Sequence, residues 1–437
     1  MPLRHELHYG DRLVACYRDR PGSVDAMLAR TVAAHPDRLA LVDGDTRLSY
    51  AAFDAELSRI AAGLSARGVG QGDRVALLMG NRAEFVVLIY ACARLGAVAV
   101  PLSPRDQRPG IAHALRDSGA KAVVAEAELA DLVPGDMPEL RARLVLGEAL
   151  GFEPYGELRA DAPPLPAVAV DEEAVATILY TSGTTGTPKG ATLTGLGIVH
   201  SATNFMRLME LGPRDRSIVT VPMNHVTGLV ASIHALVRAG GAIIVQRAFK
   251  AASFLELAQA EGMTHTVMVP AMYNLCLHQC DLSEFDLSAW RVGGYGGAPM
   301  PAATIGRLAE ALPGLGLMNA YGATETTSPA TLMPSEHTAA RRLSVGLPVP
   351  GAVIRVMDED GREVPPGETG ELWISGPMVV PGYWRNPEAT AREFSAGFWR
   401  SGDVGTIDVE GFVHVLDRKK DMINRGGHKI YTAQVES

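Results

Sequence analysis

Residues 180–190 read Y-T-S-G-T-T-G-T-P-K-G, a run of hydroxyls and glycines closed by one lysine, Lys189. Gly183, Gly186 and Gly190 let a backbone approach an anion closely, because a residue without Cβ tolerates the positive φ angles that turn successive N–H groups inward. Ser182, Thr184, Thr185 and Thr187 add short hydroxyl donors, and Lys189 adds a point charge suited to phosphate oxygens. The stretch therefore reads as a phosphate cradle. It departs from the Gly-Lys-Ser/Thr pattern of a P-loop, since Pro188 precedes the lysine and Gly190 follows it, so the magnesium-holding hydroxyl is absent. The alternative is a solvent-exposed Gly/Thr turn without a ligand, which so dense a cluster disfavours. Upstream, residues 174–180 are apolar and β-prone and predict a strand. Downstream, Ile198, Ala202, Phe205 and Met209 recur at three- and four-residue spacing and predict a helix leading out of the loop. Strand, glycine loop and helix in that order bring anions to the ends of sheets.

Further out, similar apolar runs at 74–79, 98–102, 122–125, 218–221, 242–245 and 266–269 alternate with helical patterns, which predicts doubly wound α/β layers. Residues 161–171 are rich in Pro and Ala and read as a surface linker ahead of the phosphate strand. After about residue 334 the texture changes to short strands and tight turns, at 353–357, 370–375 and 411–416, as in a small β-rich subdomain. A chain of 437 residues exceeds one ordinary core, and 47% apolar with 20% charged residues suits a globular enzyme. A net charge of −9 argues against a general nucleic-acid surface. The first ten residues hold no apolar run of the kind a signal peptide needs. The longest apolar stretch, 85–100, is broken by Arg94 and Gly96, and predicts a buried helix running into a strand rather than a transmembrane segment. Four scattered cysteines suit a reducing cytoplasm, with Cys276 and Cys280 read as ordinary core thiols rather than, with His278, a zinc site.

The motif T-S-G-T-T-G-T-P-K-G resembles the signature of the adenylate-forming superfamily of acyl-CoA synthetases, luciferases and peptide-synthetase adenylation domains, and four later blocks agree with it in order. The resemblance covers essentially the whole chain. It implies an α/β fold with two doubly wound α/β subdomains (about 1–333) and a small β-barrel subdomain (about 334–416), together a large N-terminal domain. Residues 417–437 then resemble the hinge, with Lys420 as its pivot, and the opening of a small C-terminal domain. The family's catalytic lysine falls beyond Ser437, so this chain is expected to bind ATP and acyl-AMP, to adenylate slowly and to make little thioester.

Activating a carboxylate with ATP brings two anions together at the α-phosphate, so the site must supply positive charge and donors. The resemblance assigns the phosphates to Lys189, Thr184 and Thr185, with Thr181, Ser182, Gly183 and Gly186 completing the loop. In N-A-Y-G-A-T-E-T-T (319–327), Tyr321 offers a flat face for adenine beside Gly322, and Thr324 a hydroxyl for the α-phosphate. Glu325 offers a hard oxygen for Mg²⁺, with Thr181 as a second ligand. In G-G-Y-G-G-A-P-M-P (293–301), Gly296, Gly297, Ala298 and Pro299 border the adenine. Gly293 and Gly294 border the acyl pocket, with Thr227 and Ala323 as further small lining residues. In W-R-S-G-D-V-G (399–405), Asp403 sits in a glycine turn and accepts the ribose diol, with Arg418 as a second nucleotide contact. In P-M-N-H-V-T-G-L (222–229), His225 gates the acyl site. Residues 223–232 contain no acid to pair a substrate ammonium, so the expected substrate is an uncharged acyl or aryl acid.

The expected activity is an ATP- and Mg²⁺-dependent acyl- or aryl-CoA synthetase with CoA as co-substrate. The alternatives are an acyl-AMP ligase that loads a carrier protein and a non-catalytic acyl-adenylate binding module. No nucleic-acid partner and no transmembrane segment are expected, and the oligomeric state is open, a homodimer included.

Overall fold

The computed structural model describes residues 1–159, 165, 168–181 and 187–419, and the backbone of two short strands, Ile423–Arg425 and His428–Ile430. Two large sheets carry it. The first has seven strands in the order Lys189–Thr194, Val175–Thr181, Val98–Leu102, Arg74–Leu78, Ala122–Glu126, Ala142–Leu146 and Glu153–Pro154. All its pairings are parallel except that of the edge strand Lys189–Thr194. Val98–Leu102 is buried along its whole length, which is why it reads as a continuous apolar run: helices such as Ala83–Leu95 and Arg108–Ser118 close the crossovers and cover the faces.

The second sheet has nine strands. Its centre runs Gly316–Tyr321, Val292–Tyr295, His265–Met268, Arg216–Val219, Ala242–Val245 and Leu39–Asp43, all parallel, with antiparallel additions at both edges. A third sheet of five antiparallel strands holds Val353–Met357, Gly370–Ser375, Phe394–Ser395, Phe398–Ile407 and Val413–Arg418. The α/β fold class expected from the sequence is what is found. The run at 85–100 is indeed a helix, Ala83–Leu95, ended by Gly96 at φ 65°, followed by the strand Val98–Leu102. No described helix is long and apolar enough to cross a membrane.

Two local expectations are corrected. The glycine- and threonine-rich stretch 180–190 does not lead directly into a helix. It leads into the strand Lys189–Thr194, which folds back antiparallel on Val175–Thr181 and sets Thr181 opposite Lys189. The helix Gly195–Leu208 starts only afterwards, capped by the Thr194 hydroxyl accepting from the Gly197 amide at 3.2 Å. Among the described residues, the two strands that flank residues 182–186 are therefore paired antiparallel. The second correction concerns residues 399–405, which are part of the ten-residue strand Phe398–Ile407 rather than a free turn. Its pairing with Gly370–Ser375 shifts register between Glu371 and Trp373, and Gly402, at φ 71°, lies in the extra length. A bulge of this kind bends the strand and re-aims the neighbouring side chain.

Candidate active site

The hairpin delivers Lys189 into a buried position. Its ammonium lies 2.6 and 2.8 Å from the two carboxylate oxygens of Glu393 and 4.2 Å from the centre of the Tyr383 ring. Ser182, Gly183, Thr184, Thr185 and Gly186 lie outside the described residues, as does Lys420. Gly190 is described, and its role differs from the expected one. It is not at positive φ, and a Cβ there would meet Ile178 Cγ2 at 2.7 Å, so its smallness serves packing rather than anion approach. The neighbour on its open side is the segment 382–384. The Trp384 amide donates to Gly190 O at 2.7 Å, the Thr192 amide and hydroxyl donate to Gly382 O, and Ala191 bridges Tyr383. Those contacts bring Tyr383 to the lysine.

Tyr383 joins two acids. Its phenol oxygen is 2.8 Å from Glu325 Oε1 and 2.5 Å from Glu393 Oε2. A phenol has one proton to give, so the second of these contacts needs a proton on a carboxyl. Burial raises the pKa of Glu325, while the Tyr383 hydrogen bond and the Lys189 charge act the other way. Glu325 is placed by a single turn, Thr324–Thr326, that follows the strand Gly316–Tyr321. The Ala323 amide donates to the Thr326 hydroxyl at 2.9 Å, and a Cβ on Gly322 would meet that hydroxyl at 2.9 Å. Directly after it, Thr327 and Ser328 hold left-handed φ values of 49° and 31°, a strained conformation for residues with side chains. The hard oxygens of Glu325 suit a divalent cation, whereas Thr181 is half-buried beside Lys189 on the opposite strand.

Tyr321 ends its strand 2.6 Å from Asp403, to whose Oδ2 its hydroxyl donates. Arg418, the cross-strand partner of Asp403, brings its Nε to 3.1 Å from Oδ1. Asp403 is buried, which raises its pKa, while Tyr321 and Arg418 act the other way. The structure therefore joins the three residues assigned to the nucleoside, and an exposed Arg418 covers the buried carboxylate.

The glycine block begins inside the strand Val292–Tyr295, whose Tyr295 pairs with Asn319 two residues before Tyr321. Gly293 and Gly294 are buried there. A Cβ on Gly293 would meet the Tyr273 hydroxyl at 2.9 Å, and one on Gly294 would meet Met209 Cε at 3.0 Å. Gly296 has Ala320 O at 2.4 Å from its Cβ position, so the loop can turn there only without a side chain. Gly297, at φ 78°, Ala298 and Pro299 are exposed beyond the strand's C-terminal end, where parallel sheets bind ligands.

His225 is exposed on the loop after Arg216–Val219. Loss of surrounding water and then the Arg105 charge lower its pKa, with Asp106 opposing. Thr227, half-buried, opens a π-helical stretch, Thr227–His234, a rare conformation that is frequent at functional sites. The sequence reading missed what fixes this loop. Asn81, buried at the end of a strand of the first sheet, donates to Val221 O at 2.9 Å and Gln246 O at 3.2 Å and accepts from the Met223 amide at 2.8 Å. It also missed Tyr383 and Glu393. The aromatic-glycine context 382–384 was the one local signal for the first, and nothing local marks the second.

Comparison with known proteins identifies the family. The profile of the AMP-binding enzyme family matches residues 28–384. The chain is 38% identical to a feruloyl-CoA synthase of Amycolatopsis sp over 410 residues, covering 93% of this chain and 81% of that protein. It is 35% identical to a long-chain-fatty-acid–CoA ligase of Mycobacterium tuberculosis over 414 residues, covering 94% and 82%. Among solved structures, the o-succinylbenzoate CoA synthetase of Bacillus subtilis in complex with its acyl-adenylate intermediate superposes with a TM-score of 0.84 at 28% identity, covering 94% of this chain and 81% of that one. The chain belongs to the AMP-binding enzyme family, within the adenylate-forming acyl-CoA synthetase superfamily.

Proposed function

We propose that the site serves ATP-dependent activation of an uncharged aryl or acyl acid and its transfer to CoA, and that the residues above divide the work. The acid's carboxylate oxygen attacks the α-phosphorus, the bond to the β-phosphate oxygen breaks and pyrophosphate leaves. The CoA thiolate then attacks the acyl carbon and AMP leaves. Lys189 meets the phosphates, and Thr324 lies beside the α-phosphate. Tyr321, Asp403 and Arg418 hold the nucleoside, with the loop 296–299 against the base. His225 stands at the acyl entrance, its pKa lowered by loss of surrounding water, with Thr227 and Ala323 as small lining residues, whereas Gly293 and Gly294 are packed against Tyr273 and Met209 and serve the close fit of their strand. Mg²⁺ would be held at Glu325, with Thr181 as a second candidate, and supplies neutralising charge to the phosphates when bound. The absence of acids in residues 223–232 supports an uncharged substrate, and the similarity to a feruloyl-CoA synthase favours an aryl acid. A reducing cytoplasmic setting suits four free thiols.

The observation that carries this reading is the joining of Lys189 to Glu325 through Tyr383, which puts the only charged residue of the hairpin motif next to a buried carboxylate. Calorimetric titration of ATP and Mg²⁺ into the folded chain tests it. Saturable binding, followed by a thermal-shift response to aryl and acyl acids that depends on ATP, is expected, since a ligand bound only by the native state stabilises it. No heat from ATP and Mg²⁺ would overturn the reading.

A further inference from the structure

Lys189 has a partner already. Glu393 grips its ammonium with both oxygens, using two of its three protons, while the Tyr383 ring covers one side of it. We propose that Glu393 is an internal stand-in for a phosphate: it neutralises Lys189 until nucleotide arrives, and the nucleotide binds by exchanging a phosphate oxygen for the Glu393 carboxylate. This rests on the reading that Lys189 meets the phosphates.

Three features carry the proposal. Glu393 is the last residue of the helix Pro387–Glu393, where the helix end favours cations, so local structure gives no reason for an acid there. Its approach is built rather than accidental, because the segment 382–384 is sewn onto the hairpin strand by the Gly190, Ala191 and Thr192 contacts. Finally, the carboxylate has other partners to keep. Arg392 Nη2 lies 2.9 Å from Oε1 and the Tyr383 hydroxyl 2.5 Å from Oε2, so losing Lys189 does not leave a half-buried charge unpaired. Lys189, by contrast, is buried and needs an anion at all times. A swap of one anion for another satisfies both groups before and after.

The test is ATP affinity by calorimetry, with and without Mg²⁺, for the wild-type chain, Glu393→Gln and Glu393→Ala, with adenosine as a phosphate-free control. Removing the competing charge is expected to tighten ATP binding about tenfold in both conditions, as one charge-assisted contact no longer has to be displaced. Adenosine affinity stays unchanged. If one variant fails to fold, the other carries the measurement, and Glu393→Asp, too short for the two-oxygen grip, gives the same direction with a smaller gain. Equal or weaker ATP binding by the variants, while the wild type binds, would overturn the exchange and leave the proposed function standing. Weakening confined to the Mg²⁺ condition would overturn it too, by making Glu393 a metal ligand. No ATP binding by any form would sink both readings.

Discussion

Two ion-pair clusters in this molecule are built on opposite plans. Just after the hairpin formed by Leu3–His8 and Arg12–Tyr17, Arg20 is gripped by Glu6 and Glu172, each through two oxygens, and Tyr17 O takes a further donor. Every N–H of that guanidinium is spoken for. At the phosphate hairpin, Lys189 faces one carboxylate and one ring, with two acids and a phenol competing for too few protons. The planar fork of arginine locks a geometry, whereas the ammonium of lysine is a rotatable point charge that changes partners at small cost. The first cluster is a fastening and the second is a place where anions are exchanged.

The largest effect expected from this contrast is on catalysis. Lys189→Ala should lower acid-dependent pyrophosphate exchange by about 10²–10³-fold, the usual cost of removing one charge stabiliser, with little change in urea midpoint. A large stability loss with unchanged exchange would invert the comparison. Arg20→Ala should do the opposite. It strands two partly buried carboxylates and is expected to cost about 3 kcal/mol in urea unfolding while the folded chain keeps its ATP affinity.

Asn81 sharpens the comparison, because it is neutral and acts only by holding another segment. Asn81→Ala leaves the Met223 amide and the Val221 carbonyl without their partner, costs about 1–3 kcal/mol, and should raise the KM for the acid more than that for ATP. Equal effects on both substrates would argue that it holds the fold and not the His225 loop.

The smallest effect is a pH dependence. Hydrogen bonding to Arg20 holds the Glu6 carboxyl down from 4.5 to about 2, against the opposing effect of burial. A carboxyl lowered on folding contributes stability that is fully present above its unfolded value and is lost as the pH falls towards the folded one. Glu6→Gln should therefore flatten the loss of stability between pH 4.5 and about 2, read by denaturation at each pH. An unchanged slope would show that Arg20 does not set this titration.

How much of this was legible in the chain differs by element. The strands at 98–102 and 242–245 fall where their apolar runs place them, because a strand covered on both faces needs nothing but continuous burial. The edge strand Lys189–Thr194 was invisible, since its short mixture of Lys, Gly, Ala and Thr has no period and becomes a strand only by pairing with Val175–Thr181 and with residue 383. Leu39–Asp43 likewise finds its parallel partner some two hundred residues later, at Ala242–Val245. Asp403 was recognised by its motif but assigned to a turn, because Gly402 marks a bulge as readily as a turn.

By itself the sequence determined the chemistry: glycines, hydroxyls and a lysine in one loop, then an acid after a tyrosine, and a second acid among glycines, are functional groups that need no fold to be named. The tertiary structure alone decided their company. It set Glu393 on Lys189, Tyr383 between two glutamates and Asn81 under the His225 loop, because these contacts join segments far apart in the chain, and side-chain charge and proton count act through distance in space rather than distance in sequence.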